Sequence, residues 1–186
     1  MNAHALEGGF ADAATDAAFA FRRIMEVMAR PGEIAEVKGA TPPAPLSVAA
    51  GVVVLTLCDP ETPVWLAPGV DTQGVRDWIT FHTGAPFAAP GRAQFALGAW
   101  EEFPLDAFPI GLPDYPDRST TMIVEMPELA AEGATLEGPG IEESARLNLP
   151  DLAPFQRNAR LFPQGLDFIF TSGARLAALP RTTRVS

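Results

Sequence analysis

Nineteen prolines punctuate a chain of 186 residues, roughly twice the usual share. Proline cannot donate to a β ladder and breaks a helix from within. The chain is therefore expected to fold as many short elements joined by rigid corners. Hydrophobic residues make up 47% and charged residues 19%, enough for a sizeable core and unlike a disordered segment. The length suits one domain spanning 1–186.

Phe10, Ala14, Ala17, Phe21, Ile24 and Met28 recur at steps of three and four, the stripe of an amphipathic helix. Asp12 is placed to cap it and Arg30-Pro31-Gly32 to stop it. Residues 33–38 alternate polar and apolar and read as a short strand. In "LSVAAGVVVLTLCDP" the valines favour a strand and the length favours a buried helix. The preferred reading is a helix ending near Leu57, before the break at Asp59-Pro60. "TPVWLA" reads as a strand, and "DTQGVRDWITFHTG" as a helix capped by Asp71 and closed by Gly84. Further strands are expected at 93–97, 120–126 and 166–172, before the turn at Gly138-Pro139-Gly140, and in the tail, with a helix at 151–161. Helices and strands interleave, which predicts an α/β fold with a mixed sheet flanked by helices.

A formal charge of −10 argues against nucleic acid as a partner. The basic side chains are twelve arginines and one lysine, Lys38. Arginine suits bidentate contacts to carboxylate or phosphate. The single cysteine, Cys58, allows no intrachain disulfide. "MNAHALEGGFADAATD" has no basic segment followed by an apolar one, so no secretory signal is read there. "SVAAGVVVLTLC" is too short to cross a bilayer, and a cytoplasmic protein without membrane contact is expected.

No Walker A lysine motif, Gly-x-Gly-x-x-Gly or Gly-x-Ser-x-Gly occurs. One cysteine and two histidines, His4 and His82, cannot build a typical structural zinc site, so no metal is expected. A Schiff-base cofactor needs a lysine, and Lys38 reads as a solvated strand-end residue; no cofactor is expected.

Polar clusters remain. In "DRSTT", Arg118 offers a fork of donors beside Ser119 and Thr120, with Asp117 to hold it. "PRTTRV" repeats the pattern with Arg181 and Thr182. If the two segments lie on one side of a sheet, they form a single anion-binding rim. Otherwise they are the polar ends of strands. His82 is placed at a helix C-terminus, where an imidazolium suits the exposed carbonyls. A proton-transfer role would need a neighbouring carboxylate such as Asp59 or Asp117. The stretch 104–117 holds four prolines with Phe108, Ile110 and Tyr115. A rigid loop of this kind loses little entropy on binding and reads as a protein-docking surface.

"FRRIMEVMARPG", "LTLCDPETPVW", "FHTGAP", "FPIGLPDYPDRSTTMIVEM", "LEGPGI", "FPQGLDFIF" and "LPRTTRV", in that order, resemble the H subunit of the bacterial carbon–phosphorus lyase system, the PhnH family. The likeness runs from Phe10 to Val185. It implies a core-complex subunit in phosphonate use, working with subunits G, I and J. The reaction it implies joins methylphosphonate to the ribose of ATP with loss of adenine, giving ribose 1-methylphosphonate 5-triphosphate. It also implies a fold similar to pyridoxal-phosphate-dependent transferases without the cofactor, and a homodimer of the isolated chain. It assigns no catalytic residue. The competing expectation is a stand-alone small-molecule transferase or a phosphate- or phosphonate-binding protein.

Overall fold

A computed structural model describes residues 7–186; His4 and the first part of the amino-terminal segment lie outside the described residues. Helix α1 (Ala13–Ala29) starts at Asp12, whose carboxylate accepts from the Thr15 N–H. After the turn at Pro31-Gly32 the chain forms β1 (Ala35–Glu36), shorter than the alternation suggested. The ambiguous valine run is helix α2 (Val48–Leu57), capped by Ser47 and buried from Ala49 to Val54. Strand β2 (Val64–Leu66) leads into α3 (Gln73–Thr83). Its cap is Thr72 and not Asp71, which instead pairs with Arg76. Gly84 closes α3 at φ +70°, a left-handed conformation that glycine adopts without steric cost.

Strands β3 (Phe95–Ala99), β4 (Thr121–Glu125), β7 (Asp167–Ser172) and β8 (Arg175–Leu179) complete one sheet in the order β1-β8-β7-β4-β3-β2. β2, β3, β4 and β7 run parallel; β8 runs antiparallel to β7, and β1 antiparallel to β8. This is the mixed α/β sheet expected. A second antiparallel sheet, β6-β5-β9, joins Ala145–Leu147, Ala134–Glu137 and Arg184–Val185. The short helix α4 (Ala153–Ala159) packs beside it.

Side chains along the main sheet alternate between two cores, as the period of two requires. Ile123, Ile169, Leu97 and Ala178 face α1, α2 and α3. Met122, Val124, Phe168, Phe170 and Leu179 face the second sheet and Phe155 of α4. The layers are therefore helices, main sheet, then second sheet with α4. The stripe read on α1 needs correction. Ala20, Ile24 and Val27 are buried, whereas Ala14 and Phe21 are exposed.

Candidate functional site

β7 and β8 form an antiparallel hairpin, so the residues after β8 return to the amino end of β7, beside the amino end of β4. The "DRSTT" and "PRTTR" segments consequently meet on one edge of the sheet. The anion that Arg181 holds there is the protein's own Asp167. Arg181 Nε lies 3.1 and 3.2 Å from the two Asp167 carboxylate oxygens, and Nη2 also donates to Asp167. Nη2 donates to Ser119 Oγ as well, and Nη1 to the carbonyls of Pro116 (2.6 Å) and Pro163 (3.4 Å). The Arg181 backbone N–H adds a further bond to Asp167 at 2.8 Å. Only 12% of the Arg181 side chain and 19% of Asp167 reach solvent. The guanidinium thus ties the 109–118 loop, the 160–166 segment and the β7 start into one body.

Other members of the expected rim take separate roles. Thr120 is fully buried, its hydroxyl donating to the Ala93 carbonyl at 2.7 Å. Thr182 is half-buried. Arg118 turns away, lies over the Tyr115 ring, 4.3 Å from its centroid, and is exposed. Asp117 is exposed. His82 is in the last turn of α3, between the rings of Trp78 and Phe81, with Nε2 3.4 Å from the Glu7 carbonyl. Asp59 accepts from the Glu61 N–H and closes the turn after α2. Among the described residues no hydrogen bond or ion pair joins His82 or Asp59 to the arginine cluster.

The docking residues also divide. Phe108 is buried against Trp65 and Phe103, at centroid distances of 5.3 and 6.2 Å, so it supports the loop from beneath. Ile110 is half-buried, whereas Tyr115 is 50% exposed. Leu112, Leu161 and Phe162 join Tyr115 as large exposed apolar side chains. The two loops are stitched together by Gln164 Nε2 donating to Gly111 O and the Gly165 N–H to Ile110 O, both at 2.8 Å. Gly111 has φ +82°, and a Cβ there would lie 2.5 Å from the Pro116 carbonyl oxygen. The loop therefore closes only with glycine at that position.

A feature the sequence reading missed lies at the opposite edge. A cleft of about 690 Å³ opens beyond the carboxyl ends of β3, β4 and β7, lined among others by Ser47, Trp100, Glu101, Glu125, Glu128 and Asn148. In parallel α/β sheets this edge commonly receives ligands. Burial pushes the Glu125 carboxyl above its ordinary range, opposed by bonds from the Ser47 N–H (2.7 Å) and Thr171 Oγ1 (3.0 Å). The acid stands at the end of the apolar run "TMIVE", where alternation alone gives no sign that it turns inward.

Fold and site together define an α/β domain with an arginine-clamped apolar loop face at one sheet edge and an acidic cleft at the other. The chain belongs to the bacterial phosphonate metabolism protein (PhnH) family, whose model matches residues 8–186. It is 42% identical over 189 residues to the alpha-D-ribose 1-methylphosphonate 5-triphosphate synthase subunit PhnH of Rhizobium meliloti (strain 1021), covering 96% of this chain and 94% of that protein. It is 27% identical to the putative C-P lyase subunit protein HtxG of Stutzerimonas stutzeri, covering 90% of this chain and 84% of that one.

Proposed function

We propose that this chain is a subunit of a carbon–phosphorus lyase core complex, acting with subunits G, I and J to make ribose 1-methylphosphonate 5-triphosphate from ATP and methylphosphonate. The observation that carries the reading is kinship along almost the whole chain to a relative named as a subunit of that synthase. Its role is accessory, exercised through contact with the other subunits. Exposed Leu112, Tyr115, Leu161 and Phe162 on two loops joined by hydrogen bonds support this role, since exposed apolar surface marks protein interfaces. Cytoplasmic location, self-pairing of the isolated chain and a cofactor-free relative of the pyridoxal-phosphate transferase fold belong to the same reading. No helix of the described residues is long and apolar enough to cross a membrane.

Co-expression with G, I and J tests it. The wild-type chain is expected to co-purify with its siblings, and Phe162→Asp with Leu112→Asp to be lost from the complex while melting as the wild type does. Retention of that double variant at wild-type stoichiometry would remove the loop patch as the docking face.

A second reading, phosphate or phosphonate bound at Arg118, is favoured by the exposure of that guanidinium. Arg118→Ala should then weaken nucleotide or phosphonate binding by about 1.5–3 kcal/mol, the scale of a hydrogen bond to a charged group. Unchanged calorimetric binding excludes it.

A further inference from the structure

A pocket of about 370 Å³ lies between the 3-10 turn Leu105–Ala107, α4 and the start of β7. Its volume is near the lower end of the range for ligand sites, which suits one large side chain better than a nucleotide. Phe108, Leu166 and Phe168 are its most buried lining residues, at most 4% exposed, so the pocket reaches down to the second core. Leu161 belongs both to the pocket wall and to the exposed apolar residues of the loop face. The walls are fixed by bonds that need no occupant. The Asn158 side chain accepts from the Leu166 N–H and donates to the Leu166 carbonyl, both at 2.8 Å. Phe168 is held against Phe155 at 4.9 Å, and Phe108 against Trp65. A site fixed in this way loses little entropy when it is filled.

Two charges of opposite sign select the occupant. Arg157 of α4 and Asp106 of the 3-10 turn both line the pocket and are both exposed. Among the described residues no ion pair joins them, and neither side chain has a hydrogen-bond partner. Residues 153–164 carry Arg157 and Arg160 and no acid, so the α4 lip is positive and the opposite lip negative. A guanidinium suits a carboxylate, and a carboxylate such as Asp106 suits an N–H donor. An incoming segment therefore has a preferred direction across the mouth, with its own carboxylate on the α4 side. An anionic small molecule would meet Asp106 at the same mouth, and the apolar floor offers it no polar contact.

We propose that this pocket is the anchor point for a sibling subunit, taking one side chain of leucine to phenylalanine size from a segment that sets a carboxylate against Arg157. This names the chemistry of the partner at the loop face and rests on the subunit reading above. A buried apolar anchor in a fixed pocket, with a charged contact at its rim, is the arrangement from which a few residues supply most of an interface's affinity.

The affinity of the full chain for the purified assembly of G, I and J tests it. Leu105→Trp fills the pocket from its own wall, and Arg157→Glu reverses the charge of the α4 lip without touching the floor. Each is expected to weaken binding by about 30-fold or more, the scale of an interface hot spot. Arg146→Glu makes the same charge change at an exposed position of β6 that does not line the pocket, and should bind as the wild type does. Arg157 is exposed, so its variant reports on docking even where Leu105→Trp lowers the melting temperature. The proposal is overturned if Arg157→Glu, or a Leu105→Trp as stable as the wild type, keeps wild-type affinity. It is overturned as well if Arg146→Glu loses as much as Arg157→Glu, since net charge then explains the effect. A change in sedimentation of the isolated chain with capture unaltered would also overturn it, because the occupant would be a second copy. In each case turnover of the reconstituted wild-type synthase still upholds the subunit reading. Failure of the wild type itself to bind the assembly would instead sink that reading, and the anchor with it.

Discussion

Replacing Arg181 by methionine keeps most of the side-chain volume and deletes the clamp. The loss comprises the fork to Asp167 and the bonds to Ser119 and to the Pro116 carbonyl. Asp167 is then left as a largely buried carboxylate whose remaining partner is the backbone N–H of residue 181. Removing one member of a buried ion pair costs about 3–5 kcal/mol, chiefly through the uncompensated charge. The surviving backbone bond places this case near the lower end, at about 3 kcal/mol. For a chain of this size that is a fall of about 6–12 °C in melting temperature. Urea denaturation with an unchanged slope is the measure of choice, since the midpoint then reports stability alone. Adding Asp167→Asn removes the stranded charge and should restore at least about 1 kcal/mol. The reasoning fails if Arg181→Met loses less than about 1 kcal/mol, or if the double variant is no more stable than the single one.

Phe155 anchors α4 from a fully buried position between Trp100 and Phe168, at 4.8 and 4.9 Å. Phe155→Ala is expected to cost about 3–5 kcal/mol in the same denaturation assay. Arg118→Ala removes only an exposed cation–π contact and should cost no more than about 1 kcal/mol. The raised carboxyl of Glu125 gives a signed pH effect. A group whose folded value lies above its unfolded one favours the native state below the unfolded value, and that contribution disappears as pH rises through the folded value. Thermal melts should therefore show the wild type losing stability relative to Glu125→Gln above the ordinary carboxylate range, at about 1.4 kcal/mol per unit of displacement. Parallel pH profiles would show that Glu125 is not the group concerned.

The helices were legible because their signals are local. Asp12 and the Gly84 stop act within one turn, and α2 has a length no buried strand of this sheet approaches. Asp71 misled because two adjacent residues could both cap α3, and its pairing with Arg76 left the role to Thr72. β6 escaped notice because its three residues become a strand only by pairing with β5 across a seven-residue connection in an antiparallel ladder. The meeting of the two arginine segments was legible as a possibility. That Asp167 would occupy the guanidinium was not, because the register of β4, β7 and β8 decides it. Phe108 and Tyr115 belong to one proline-rich loop, and only the packing against Trp65 tells which of them faces inward.

Reconstitution of the synthase from purified subunits tests the central claim most directly. With ATP and methylphosphonate, this chain alone is expected to give no turnover. G, I and J together with it should form ribose 1-methylphosphonate 5-triphosphate, and omission of this chain should abolish that product. Turnover by the isolated chain, or full activity of the other three without it, would contradict the account.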